Sequence, residues 1–149
     1  MRFRIRPVIM ISLGLACALI ASAATPAIRV EDAWIRWLPA NLPAAGYVTL
    51  VNTGDRAQVF LGASSVDFRD ISLHQSRNNA GTMEMRPVDR IVIEPHSSIR
   101  LQEAGYHLML MQPNRTFKPV DRVTLLLRFD SGTVTAQFEV RAPNSSSSP

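Results

Sequence analysis

The sequence predicts an all-β domain, a sandwich or barrel of short antiparallel strands, and three observations carry that reading. Apolar stretches are short and are punctuated by Gly, Pro, Asn and Asp. The C-terminal third alternates apolar and polar residues with a period of two. No window of useful length repeats at the helical period.

The first expected strand spans residues 45–51 and is closed by the turn Asn52-Thr53-Gly54-Asp55. Short strands are then expected at residues 58–63, 71–74, 82–87, 90–93, 98–101 and 106–111. The clearest hairpin comes last. Val123, Leu125, Leu127 and Phe129 alternate with Thr124 and Arg128, with Leu126 as the one departure. Asp130-Ser131-Gly132 supplies the turn, and Val134, Ala136, Phe138 and Val140 resume the alternation. Such patterning means one buried face and one wet face, as in antiparallel sheets. A domain of about 115 residues can bury one core without disulfide or metal staples.

The two ends read differently from the body. Arg2, Arg4 and Arg6 precede an apolar run from residue 8 to 19, and Ala21-Ser22-Ala23 follows with small side chains. That order is a secretory signal peptide over residues 1–23, cleaved near Ala23, and it places the mature chain in the periplasm. The apolar run is too short and too poorly flanked to favour a retained membrane span. Cys17, the sole cysteine, is a conceivable lipid attachment site, but Gly14 stands where a branched apolar residue is expected and the apolar run continues past it. The body, residues 24–141, is one domain; the Ser-rich tail, residues 142–149, is expected to be disordered.

Charge and cysteine content then exclude whole classes. The chain holds 16 basic and 12 acidic residues, and loss of the three leader arginines leaves 13 against 12. A nearly neutral mature chain without a basic cluster gives no footprint for nucleic acid. The mature chain has no cysteine, so a soft-metal site in it must be built from Met and His. A blue-copper redox centre, which needs a thiolate, is excluded on the same ground, and the expectation is a protein that is not an enzyme.

Four residues stand out together: His74, Met85, His107 and Met109. His107 and Met109 lie two apart on one expected strand, so they share a face, while Leu108 and Leu110 take the other. Pairing Arg77 with Thr82 around a four-residue loop would set His74 directly opposite Met85. Thioether and imidazole together select copper(I) over zinc or hard cations. Taken singly, a strand methionine is usually core filler and a lone histidine usually structural; the spacing of the four is what singles them out. His96 sits in a turn without a partner and is assigned no role, whereas Met83 and Met111 could line the site or shield it.

This spacing resembles the copper(I)-binding motif of the periplasmic copper chaperone family called PCu(A)C. Several stretches share the resemblance: Asp32-Ala33-Trp34-Ile35-Arg36, Ala44-Ala45-Gly46-Tyr47-Val48-Thr49-Leu50, Leu61-Gly62-Ala63-Ser64-Ser65, Met83-Glu84-Met85-Arg86-Pro87-Val88 and Gly105-Tyr106-His107-Leu108-Met109-Leu110. The resemblance covers residues 28–140. It implies a cupredoxin-like, Greek-key β-sandwich that binds Cu(I) through His74, Met85, His107 and Met109. It also implies delivery of the metal to a copper-receiving protein, such as the Cu(A) subunit of cytochrome c oxidase, alongside a thioredoxin-like assembly factor. Two departures stand. Gln75-Ser76 follows His74 where many relatives have a methionine, and the tail lacks the His and Met that supply a further copper site in some relatives. The competing readings are a copper storage or resistance protein and a secreted β-sandwich that binds no metal and serves adhesion or ligand binding.

Overall fold

The computed structural model describes residues 26–39 and 42–145. The expected leader with Cys17 and the last four residues of the Ser-rich tail lie outside the described residues. The rest is strand and turn. The strands are β1 (Ile28–Arg36), β2 (Ala44–Asn52), β3 (Gln58–Ser64), β4 (Phe68–Asn79), β5 (Thr82–Pro87), β6 (Ile91–Ile93), β7 (Ser98–Leu101), β8 (Tyr106–Pro113), β9 (Arg122–Phe129) and β10 (Gly132–Arg141). Their order across the sheet is β5-β4-β8-β2-β1-β10-β9-β3-β6, with β7 also paired to β2. The pairings are antiparallel except for β1 with β10, which run parallel.

The sheet folds over on itself into a sandwich. Leu50, Leu73, Leu108 and Leu110 from one half meet Phe60, Leu125, Leu127 and Phe138 from the other in a single buried cluster. The β9–β10 hairpin follows its alternation closely. Val123, Leu125, Leu127 and Phe129 are all buried, and Leu126 points outward, 42% exposed. Leu126 therefore obeys the pleat at the cost of wetting a leucine.

β1 was not among the expected strands, and its register shows why. A β-bulge falls between Glu31 and Trp34, with Asp32 at a φ of 50°. One extra residue resets the alternation in mid-strand. Trp34 and Ile35 are in consequence neighbours on opposite faces, and both are buried.

Two residues of β2 hold the half that carries the histidines. Gly46 pairs with Leu108 of β8. A Cβ there would lie 3.2 Å from Leu108 Cβ and 3.1 Å from Leu110 Cδ1, so only glycine fits without displacing the core leucines. Asn52, fully buried, ends the strand. Its Nδ2 donates to the carbonyls of Arg56 (2.8 Å) and Ile93 (3.0 Å), and its Oδ1 accepts from Gly54 N at 3.1 Å. The Asn52 side chain thus ties the end of β2 to the end of β6 and to the loop that follows β2. Replacing Asn52 with Ala should lower the unfolding free energy by about 2–4 kcal/mol in urea titrations, since partners are left unpaired inside the protein. A loss below about 0.5 kcal/mol, within the range of an ordinary surface change, would contradict this role.

Candidate metal centre

The site is built on the outer face of three neighbouring strands. Along β4, Leu73 turns into the core, while Ser72, His74 and Ser76 take the opposite face. Along β8, Leu108 and Leu110 are fully buried, while His107 and Met109 project the other way. The antiparallel register sets His74 directly across from His107, and Ser72 across from Met109. β5 flanks β4 on its other side and presents Met85 opposite Ser76. All four residues singled out in the sequence therefore share one face.

The pairing within the β4–β5 hairpin differs from expectation. His74 stands opposite Pro87, not Met85. The loop is the two-residue turn Ala80-Gly81, with φ of 49° and 88°, rather than a four-residue loop. Positive φ at both central positions is the type I′ geometry that matches strand twist. Asn78 Oδ1 accepts from Gly81 N at 2.8 Å and steadies the turn. The register has moved by two residues, an even number, so Met85 keeps its face and becomes a diagonal neighbour of His74.

Each imidazole is held by one ring nitrogen. His107 is only 4% exposed, and its Nδ1–H donates to the Gly105 carbonyl at 3.1 Å. In the neutral ring the lone pair is then on Nε2. Burial pushes the His107 pKa below the usual histidine value, and the charges of His74 and Arg36 act in the same direction; the bond to Gly105 opposes them. His74 Nε2 lies 3.0 Å from Ser72 Oγ, and its Nδ1 is buried with no hydrogen-bond partner. The two ring centroids are 6.1 Å apart at an interplanar angle of 35°.

The thioethers complete the face. Met85 is 53% exposed, and Met109 is half-buried. Beside them lies a depression of about 210 Å³ whose lining includes Arg36, Tyr47, Met85, Glu103, His107 and Met109. Arg36 donates to Glu103 Oε1 at 2.5 Å and to Tyr47 Oη at 2.7 Å. Burial raises the Tyr47 pKa, with Arg36 opposing, so the phenol stays neutral. A larger hollow of about 440 Å³ lies on the β4–β5 hairpin among Gln75, Arg77, Glu84 and Arg86. Its lining holds no histidine, methionine or cysteine, whereas the smaller one is lined by Met85, His107 and Met109, though not by His74.

Met83 and Met111 flank the four on the same face, and His96 lies apart from them. Met83 is opposite Asn78, one pleat nearer the turn than Met85, and is 54% exposed. Met111 is opposite Asp70, four residues along β8 from His107, roughly 13 Å away at strand rise. His96 lies in a turn and pairs with Asp55 at 2.8 Å. Ser72, Arg36, Tyr47 and Glu103 were not singled out from the sequence. Ser72 was findable, two residues before His74 on the same strand, and Arg36 and Tyr47 lie within the stretches that carried the family resemblance. Glu103 left no signal.

Among the described residues no three of His, Cys, Asp or Glu gather where a metal could bind. A metal on this face would thus rely on two imidazoles and on thioether sulfur. Such a neutral donor set suits a soft, singly charged ion.

The LpqE-like family, described as "Putative lipoprotein LpqE-like", matches residues 28–140. A "Putative lipoprotein" of Leifsonia xyli subsp. xyli is 30% identical over 129 residues, which is 82% of this chain and 76% of that protein. Among solved structures, the copper-bound PCuAC domain from PmoF2 superposes with a TM-score of 0.67 at 28% identity, covering 80% of this chain and 97% of that domain. The Cu(I) form of DR1885 from Deinococcus radiodurans gives a TM-score of 0.60 at 26% identity, over 73% of this chain and 74% of that one. From β1 through β10, then, this chain is a member of the LpqE-like family, and its fold is that of the PCuAC domains, a cupredoxin-like β-sandwich.

Proposed function

We propose that this protein is a periplasmic copper(I) chaperone that holds one ion between His74, Met85, His107 and Met109 and passes it to an acceptor. The observation that carries the reading is the opposed pair His74 and His107, each tied down at one ring nitrogen, with two thioethers on the same face. Solved relatives of the same fold include a copper-bound PCuAC domain and a Cu(I) form, which supports copper as the cargo. The donors are neutral, so a Cu(I) site keeps a single positive charge and competes through softness rather than charge. The half-exposed Met85 gives an incoming ligand a donor to displace, as a carrier requires.

The setting follows from the same reading. Residues 1–23 are the leader cleaved near Ala23, residues 24–141 the copper domain, and residues 142–149 a Ser-rich tail. The acceptor is a copper-receiving protein such as the Cu(A) subunit of cytochrome c oxidase, alongside a thioredoxin-like assembly factor.

One Cu(I) should bind per mature domain, and Cu(II) only weakly, in anaerobic titration against a competing chelator. A stoichiometry of two, or a preference for Cu(II), would sink the assignment. His107→Ala and Met109→Leu should each weaken Cu(I) binding about tenfold or more, with the fold retained by circular dichroism. His96→Ala should leave affinity unchanged; equal losses for all three would show the site is elsewhere.

The pH response follows from His107. Its folded pKa is depressed, so the neutral ring is favoured by the fold. That contribution to stability is present above the unfolded value near ~6.5 and is lost as pH falls from there through the folded pKa. In the metal-free protein the His107 ring should therefore titrate below about 6.5 by NMR. Copper(I) affinity should fall over the same acidic range, with residual binding through the thioethers, which do not protonate. A titration of His107 above about 6.5, or an affinity flat with pH, would contradict it.

A further inference from the structure

We infer that Ser72 is a positioning residue that engages Nε2 of His74, so that copper(I) is bound by Nδ1 of His74 and by Nε2 of His107. The inference rests on the copper reading above and adds which nitrogen of each ring serves and what selects it.

Ser72 and His74 are two residues apart on β4, on one face, and Ser72 Oγ lies 3.0 Å from His74 Nε2. Two neutral arrangements satisfy that contact. In one, Nε2–H donates to the hydroxyl oxygen and Nδ1 keeps its lone pair. In the other, the hydroxyl donates to a bare Nε2 and the ring proton sits on Nδ1. Nδ1 decides between them. It is cut off from solvent and has no hydrogen-bond partner; among the described residues, the one other buried side-chain nitrogen or oxygen in that state is Arg36 Nε. A buried N–H without an acceptor costs free energy that no cation can recover. A buried lone pair without a donor also carries a cost, but a bound metal ion removes it, so the first arrangement is the one that copper selects. The first arrangement makes the unpartnered atom a ligand in waiting.

His107 is held the opposite way round. Its Nδ1–H is engaged by the Gly105 carbonyl, which leaves Nε2 for the metal. The two rings stand opposite each other across the β4–β8 pair, 6.1 Å between centroids. Each ring is thus oriented through a different nitrogen by a group on its own side of the pair. Ser72 stands directly opposite Met109. Its own oxygen is a poor ligand for a soft ion beside a thioether. Its part is to hold the ring, as outer partners of liganding histidines do.

The test uses the mature chain with ¹⁵N-labelled imidazoles, read by long-range ¹H–¹⁵N correlation without metal and with one equivalent of Cu(I). Before loading, His107 should show the Nδ1–H form, and with Cu(I) bound His74 should show the Nε2–H form. Loading should move Nδ1 of His74 and Nε2 of His107. Ser72→Ala should mix the two forms of His74 and weaken Cu(I) binding about tenfold, while Ser72→Thr keeps both the single form and the affinity. If loading moves His74 Nε2 instead, or Ser72→Ala changes neither the form nor the affinity, the inference is overturned although the copper site stands. If no nitrogen of His74 responds to Cu(I), His74 is not a ligand and the four-residue site falls with it.

Discussion

Everything at the site depends on the antiparallel register of β4 with β8. That register sets Leu73 opposite Leu108 and His74 opposite His107 in successive rungs. The leucines are buried against the far half of the sandwich, which locks the histidines onto the outer face. A slip of β4 by one residue would turn His74 toward the core and Leu73 out to the surface, and the apolar area lost would disfavour that state. The packing of the core therefore holds the metal face in place with no metal bound.

The neighbouring strands turn that face into a site of particular character. Gly46 of β2 lets β8 pack closely, and Ala45 then pairs with Met109. Beyond β2, the Arg36–Glu103 pair and the Tyr47 hydroxyl wall one side of the depression. Burial favours the neutral form of His107, and the Gly105 carbonyl settles which of its nitrogens is free. A soft donor set of this kind needs such control, because its affinity comes from orientation and neutrality rather than from charge. Met85, on the exposed edge strand β5, is the proposed ligand least constrained by packing.

Much of this was legible in the sequence, for physical reasons that differ by element. The β9–β10 hairpin could be read because both strands bury one face, and the pleat then writes itself as alternation. The shared face of His107 and Met109 followed from spacing alone. β1 was hidden because its bulge at Asp32 resets the alternation midway. The β4–β5 register was misread by two residues because Asn78 and Asn79 look like loop residues, yet both pair within the ladder and leave the turn to Ala80 and Gly81. The error spared the site, since an even shift preserves the face. Glu103 was out of reach, since it joins the site through a contact with Arg36 67 residues away in sequence.

The central claim concerns donor atoms, so the most direct measurement reads them. X-ray absorption at the copper edge of the Cu(I)-loaded mature domain should give a first shell of two nitrogen and two sulfur scatterers, with the sulfur lost in part in Met109→Leu. A shell of nitrogen and oxygen alone, or one unchanged by loss of Met109, would contradict the account.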